Sequence, residues 1–434
     1  MNPLMIGLIA FIALIVLMLL RVPIAMSMFI VGAGGLFLTK GANLAFYALT
    51  NQPYNAIFSF SLVAIPMFVL LGNLANEAGI TRDLYDIGNK LLGRMPGGLG
   101  MATIFTSAFF AATTGSSVGM VAAMTRIALP EMDRYKYHRS LSLGTIAAGG
   151  TLGILIPPSI PMVIYAITTE LSVGKILMAG ILPGLTMAVV MCAYLAIRVT
   201  LHPDLAPRYD KRSTLLEKIK SLKGMWGIVL LFGAVLGSIY LGFATATESA
   251  AIGCVMALLI AAINKKLSFA ALKRAVVDTI KTASMIMLIS IGAAIFQLFL
   301  TRVGFASAFA NLFIQANLPT TLMLIILLLI YIPLGMFFDT MGMILLTIPI
   351  FTPILKAAGV DLIWFGVMVT MMIQVSLLTP PVGLNVYVLK GCVPDEKLTD
   401  IFRYSLPWVL VQLAVVALVL LIPGMTSWIP SMMK

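Results

Sequence analysis

Residues 149–165 read GGTLGILIPPSIPMVIY, and residues 374–387 read QVSLLTPPVGLNVY. Each stretch sets a Pro-Pro pair in the middle of an apolar segment long enough to span a bilayer, followed within two turns by a tyrosine. A proline pair removes two backbone donors and breaks the helical ladder. Hydrocarbon tolerates that only where the freed carbonyls face protein, water or an ion. Two such breaks at corresponding positions point to a binding site at mid-membrane depth.

The surrounding composition agrees. Of 434 residues, 61% are hydrophobic and 10% charged, and the mean hydropathy is +1.07, which excludes a water-soluble globule. Apolar runs beginning near Pro3, Pro23, Phe60, Ser142, Lys175, Met225, Glu248, Ser284, Leu362 and Ser405 give roughly ten crossings of about 20 residues each. The net charge of +12 resembles a nucleic-acid signal until its carriers are placed. With Met1 outside, 23 of the 28 Lys and Arg fall on the inner side, and only Lys40, Lys175, Arg302, Lys356 and Lys434 fall outside. That is the positive-inside bias, and it predicts both termini on the outer face. The count assigns Arg126 and Lys281, which lie inside apolar segments, to the inner half, where each can snorkel. Cys192, Cys254 and Cys392 lack pairing or metal spacing, and His138 and His202 lie in polar loops. The first apolar segment has no basic leader and continues through Arg21-Val22-Pro23, so it reads as a transmembrane helix.

The chain is also a duplication. Prolines 96, 130, 158 and 183 have counterparts at 319, 353, 381 and 407, and Gly119-Met120 maps onto Gly342-Met343, at an offset of 223 or, once, 224. The division runs as a first repeat over 1–200, a cytoplasmic linker over 201–223 and a second repeat over 224–434. Five crossings per half is an odd number, so the second repeat must be inverted. Charge agrees: residues 131–139 are rich in Arg and Lys, whereas their counterpart has Lys356 against Asp361. The predicted fold is an all-α polytopic membrane protein of two inverted repeats, each with five transmembrane helices and a re-entrant hairpin, an architecture of transporters.

The hairpins are the segments at about 97–130 and about 319–353, too long for one helix and too short for two crossings. Arms of about 15 residues rise roughly 22 Å against a hydrocarbon core of roughly 30 Å. Their tips fall at Thr113-Thr114-Gly115-Ser116-Ser117 and around Gly335 to Thr340. Non-helical backbone at that depth must be buried or line a cavity, so the tips are expected to meet the broken helices at about 140–169 and about 361–390.

Polar residues collect at these places. Around the first break stand Thr113, Ser116, Ser117, Gly149, Gly150 and Thr151, and around the second Asp339, Thr340, Ser376, Thr379, Gly383 and Asn385. Their hydroxyl, amide and carbonyl oxygens are hard and mostly neutral donors, which suit an alkali cation, sodium first, better than zinc. Thr114, Pro158, Ser159 and Pro381, where following half-helices begin, are the candidate contacts for an anionic substrate, with Arg302 as a further one. Ser and Thr in membrane helices commonly bond back to their own helix, so the clustering carries the argument. Asp339 is the strongest single case, because a carboxylate at membrane depth is costly; its structural alternative is to hold a hairpin-tip amide. Glu248, in TATESAA, fits a helix cap.

With these segments assembled, the whole chain resembles the large membrane subunit of the tripartite ATP-independent periplasmic (TRAP) transporters. The resemblance rests on RVPIAMSM at Arg21, IPMFVLLGNLANEAG at Ile65, ATTGSSVGMVAAM at Ala112, GGTLGILIPPS at Gly149, GFATATESAA at Gly242, FFDTMGMILLTIPIFTPIL at Phe337 and LLTPPVGLNVYV at Leu377. One departure is Ala246, where the family commonly has proline. The resemblance implies a sodium-coupled importer of organic anions (a C4-dicarboxylate, sialic acid or another carboxylate-bearing solute) in the bacterial inner membrane, with an elevator-like mobile unit. It implies one sodium site at each hairpin tip and its Pro-Pro break. It also implies two partners, a small DctQ-like membrane subunit of about four helices and a DctP-like periplasmic binding protein. No cofactor beyond the coupling ion is implied, and no GxxxxGK nucleotide motif occurs.

The nearest alternative is a stand-alone sodium- or proton-coupled carboxylate carrier of the same plan. An intramembrane enzyme is disfavoured because neither a second acid nor a Ser-His pair accompanies Asp339 at depth, and a channel because no filter or charged ring is present.

Overall fold

The computed structural model describes residues 2–114, 116–207, 221, 223–316 and 318–433; for residues 81, 82, 111–114 and 314 only the backbone is described. Gly115 at the first tip and most of the 201–223 linker therefore lie outside the described residues. Every regular element among the described residues is helical. The first half runs α1 Pro3–Leu19, α2 Ile24–Lys40, α3 Ala42–Ile57, α4 Ala64–Glu77, α5 Ile80–Leu92, α6 Gly98–Thr114, α7 Ser117–Arg134, α8 Arg139–Thr151, α9 Ile160–Thr169 and α10 Val173–Leu201. The second runs α11 Trp226–Tyr240, α12 Ala246–Ile263, α13 Phe269–Arg302, α14 Phe305–Gln315, α15 Thr320–Leu329, α16 Tyr331–Leu334, α17 Thr340–Ala357, α18 Leu362–Ser376, α19 Leu384–Cys392, α20 Leu398–Leu421 and α21 Gly424–Ser431.

The offset read from the prolines reappears in these bounds. α7 and α17 begin and end 223 residues apart, and each hairpin and each broken helix has its counterpart. Among the described residues seven helical stretches are long and apolar enough to cross a membrane, while α1 and α2 are apolar helices of 17 residues each. The two broken helices, α8 with α9 and α18 with α19, bring the crossings to the expected ten, because one of the seven stretches is the hairpin arm α17. Apart from the hairpin arms, four helices among the described residues lie outside that count: α3, α5, α14 and α21.

Local chemistry sets the helix ends. Asn2 caps α1 by accepting from the Leu4 N–H at 3.0 Å, with proline in the first turn. At α12 the Thr245 hydroxyl accepts from the Glu248 N–H while the Glu248 carboxylate accepts from the Thr245 N–H at 2.8 Å, the capping box expected of that carboxylate. Ser116 caps α7 and Asp339 caps α17, and these two residues are 223 apart.

One tier of helices clasps the two halves together. α2 lies against α13 at glycines: a Cβ on Gly292 would come 2.4 Å from the Ala25 carbonyl oxygen, and one on Gly32 would come 2.8 Å from the Phe296 backbone. α4 joins α13 through a two-pronged ion pair, Arg274 Nε and Nη2 to the Glu77 carboxylate at 3.2 and 2.7 Å, and through Asn73 Nδ2 donating to Thr279 Oγ1 at 3.0 Å. The halves differ here. α13 is one helix of 34 residues, whereas its counterpart is split into α3 and α4 by a bend at residues 58–63. Pro53 and Pro66 flank that bend, and Val276 and Ile289 stand at the matching positions of α13.

Because Gly292 meets backbone, the substitution Gly292→Ala forces α2 and α13 apart and should cost about 1–3 kcal/mol. Gly34→Ala, with nothing within 4 Å of its new Cβ, should not destabilise. Thermal unfolding of the detergent-purified variants checks the contrast.

Candidate functional site

The first site grows from α8, α7 and, unexpectedly, α19. α8 ends at Thr151, where the chain turns through residues 152–159 before α9 resumes, and both Pro-Pro peptide bonds of the protein are cis. The tip of the first hairpin lies on this turn: a Cβ on Gly153 would come 3.1 Å from the Ser116 carbonyl oxygen. Ser117 is buried at the start of α7, with its hydroxyl 3.0 Å from the Gly150 carbonyl oxygen and 2.8 Å from Asn385 Oδ1. Asn385 Nδ2 donates to the Ala147 carbonyl at 3.2 Å, which fixes the amide with its oxygen toward Ser117. Three oxygens thus converge with a single hydroxyl proton among them.

The second site is built from α16, α17 and α18. Asp339 Oδ1 accepts from the Gly342 N–H at 3.1 Å and caps α17, as Ser116 Oγ accepts from Gly119 N–H at 3.4 Å in the first hairpin. The structural alternative for Asp339, holding a tip amide, is therefore realised. Gly335 abuts Ser376, whose side chain a Cβ on Gly335 would meet at 2.3 Å. Ser376 Oγ donates to the Ile373 carbonyl at 2.8 Å and Thr379 Oγ1 to the Ser376 carbonyl at 3.0 Å. Gly383 closes the turn at φ 50, beside Phe402 and the Thr379 carbonyl oxygen. Thr340 is buried at the start of α17.

Between the two breaks a residue touches its own counterpart. Gln374 Nε2 donates to the Thr151 carbonyl at 2.9 Å, and the two are 223 apart. The contact thus joins the ends of the two broken helices at positions matched by the offset read from the prolines. Gln412 Nε2 donates to Thr151 Oγ1 at 2.8 Å, and that hydroxyl in turn donates to the Ala148 carbonyl at 2.7 Å. Sequence reasoning assigned neither glutamine to a site. The available signal was an amide within an apolar run of spanning length, which is costly at depth unless paired.

The second arms cross over. α9 packs on α17 and α18 of the other half, and the Tyr165 hydroxyl donates to the Leu362 carbonyl at 2.7 Å; α19 packs on α7 and α8. Asn385, read from the sequence as part of the second cluster, accordingly sits in the first. Its side chain lies beyond the break, on the arm that has crossed. Ser159 caps α9 and donates to the Ile154 carbonyl, so its hydroxyl is engaged in closing the turn. Pro158 is buried and Pro381 exposed, so the first break is sealed and the second open. Arg302 lies at the exposed end of α13, and no hydrogen bond that knits either cluster involves it. The Thr113 and Thr114 side chains lie outside the described residues.

Comparison with known proteins adds to this geometry. The sequence profile of the DctM component of tripartite ATP-independent periplasmic transporters matches residues 11–425. The C4-dicarboxylate TRAP transporter large permease protein DctM of Pseudomonas aeruginosa is 34% identical, over 86% of this chain and 86% of its own. The sialic acid TRAP transporter large permease protein SiaM of Vibrio cholerae is 30% identical, over 94% of this chain and 95% of its own. Among solved structures, the Alcanivorax borkumensis YdaH transporter superposes with a TM-score of 0.62 over 89% of each chain at 13% identity, a likeness of fold.

Ser117 and Asn385 are expected to couple. In a double-mutant cycle of Ser117→Ala and Asn385→Ala, the two losses of stability should fall short of additivity by about 1 kcal/mol. Denaturation midpoints in one detergent measure it, and strict additivity would separate the two side chains.

Proposed function

We propose, for a chain that belongs to the DctM component family of TRAP transporters, that it imports a carboxylate-bearing solute by sodium symport. The convergence of Ser117 Oγ, the Gly150 carbonyl and Asn385 Oδ1 carries this reading. Three hard oxygens sharing one proton form an electron-rich pocket that a small monovalent cation relieves and a thiolate-seeking metal does not. Asp339, Thr340, Ser376, Thr379 and the carbonyls around Gly383 supply a second set of oxygens for the same ion. One set draws on both halves, so sodium bound there holds the second arm of the second half against the hairpin of the first.

The solute's acid group is the feature shared by the names of the relatives, a C4-dicarboxylate permease and a sialic acid permease. The starts of α9 and α19 just past the breaks, with Thr114, Pro158, Ser159 and Pro381 beside them, are where an anion finds helix N-termini. The halves are inverted in the membrane, both termini lie on the periplasmic side of the inner membrane, and the hairpins and broken helices move as one unit against the clasped tier. A tripartite system supplies a small membrane subunit and a periplasmic binding protein, which delivers the solute.

The test is uptake of labelled sialate and succinate into proteoliposomes holding the complex. At least one should accumulate chemically unchanged, only with an inward sodium gradient and only with the binding protein. Uptake by this chain alone would favour the stand-alone carrier, and altered solute would favour an enzyme. Asp339→Asn should raise the sodium concentration for half-activation about tenfold while sparing assembly. Unchanged activation would remove Asp339 from the ion's path.

A further inference from the structure

The bend between α3 and α4 leaves a cavity of about 420 Å³ that shares no residue with the two oxygen clusters. One wall comes from the clasped tier: Asn55 and Ser59 at the bend, and Ser290 and Gln297 on α13. The other comes from the crossing arm and the second hairpin: Thr168 and Glu170 at the end of α9, with Leu345 and Pro349 of α17. Its size falls within the range of small-molecule sites. It lies where the halves differ: Asn55 at the end of α3 and Ser59 in the bend after it line it, and α13 has no such bend.

The lining has a definite chemistry. The Asn55 and Gln297 amides and the Ser59 hydroxyl offer neutral donors and acceptors, the Thr168 and Ser290 hydroxyls, which donate to the Ile164 and Ile286 carbonyls, offer acceptors, Glu170 offers a carboxylate, and among the described residues that line the cavity there is no Lys, Arg or His. Glu170 also ends α9 with a left-handed backbone, φ 59, a conformation costly for a side chain other than Gly or Asn. A carboxylate taken into such a chamber finds no counter-charge and meets a like charge. Hydroxyls, by contrast, can both donate to and accept from these groups, and a site built to bond hydroxyls strongly rejects a solute lacking them.

We propose that this chamber receives the solute between the two units before it reaches the oxygen clusters, and that it selects a hydroxyl-rich monocarboxylate over a dicarboxylate. The proposal rests on the transport reading above. The solute's single acid group points toward the helix starts and the bound ions, and its hydroxylated end lies among Asn55, Ser59, Gln297 and Glu170. The two walls belong to units that move relative to each other, so the chamber holds solute in one state and releases it in the other.

The test uses the full chain in lipid nanodiscs at saturating sodium, with D-gluconate and succinate as probes and binding followed by calorimetry. Gluconate should bind and succinate should not at the same concentrations. Asn55→Ala combined with Gln297→Ala should weaken gluconate at least about tenfold. Glu170→Lys, which supplies the missing counter-charge, should create succinate binding, a gain that a misfolded variant cannot show. The proposal is overturned if succinate binds as well as gluconate, if neither binds, or if these substitutions leave the preference unchanged. Stabilisation by sodium without solute is recorded in the same samples. Its loss alone would defeat the symport reading and leave the chamber standing.

Discussion

Everything in this fold follows from breaking two helices where water is scarce. Each break releases carbonyls that hydrocarbon cannot satisfy, and each released group must find a donor inside the protein. Some donors are local, as when Ser159 turns back to Ile154 and Thr379 to Ser376. At the first break the decisive ones come from the other half: Asn385 answers Ala147 and Gln374 answers Thr151. The second arms cross between the halves, and the first break is completed by side chains of the second half. A polar centre that both halves must complete can sense an ion and change the relation of the halves at once.

Function enters where the symmetry lapses. Ser116 and Asp339 cap equivalent helices, yet only the second brings a formal charge to the tip. Pro158 is sealed and Pro381 open, so the second break is the accessible one. α13 runs straight where α3 and α4 bend, and a chamber lies between the clasped tier and the crossing arm and second hairpin. On the proposed reading, the lapses separate places for ions from a place for solute.

Much of this was legible in the sequence because prolines keep register. The offset of 223 anticipates the paired hairpins and breaks, and the helical bounds reproduce it. The meeting of tips with breaks also followed from the cost of exposed backbone at depth, as Ser117 on Gly150 and Gly335 on Ser376 show. What stayed hidden was which half answers which break. Residue spacing constrains neighbours along a chain but not the partner across an interface, so Asn385 was grouped with its own segment. Gln374 and Gln412 were passed over because their role depends on lying beside Thr151, a contact 223 and 261 residues away. The bend between α3 and α4 was not read from the sequence, although Pro53 and Pro66 flank it, and the straight α13 gives it its meaning.

The central claim is that the two hairpins enter the membrane from opposite sides. It is tested most directly with Met95→Cys and Thr320→Cys, exposed positions at the mouths of the two hairpins, in a chain whose three native cysteines are replaced by alanine. A membrane-impermeant maleimide added to the outer face should label Thr320→Cys at once and Met95→Cys only after the membrane is opened. Labelling of both from the same side would contradict the inverted arrangement and the shared ion site built on it.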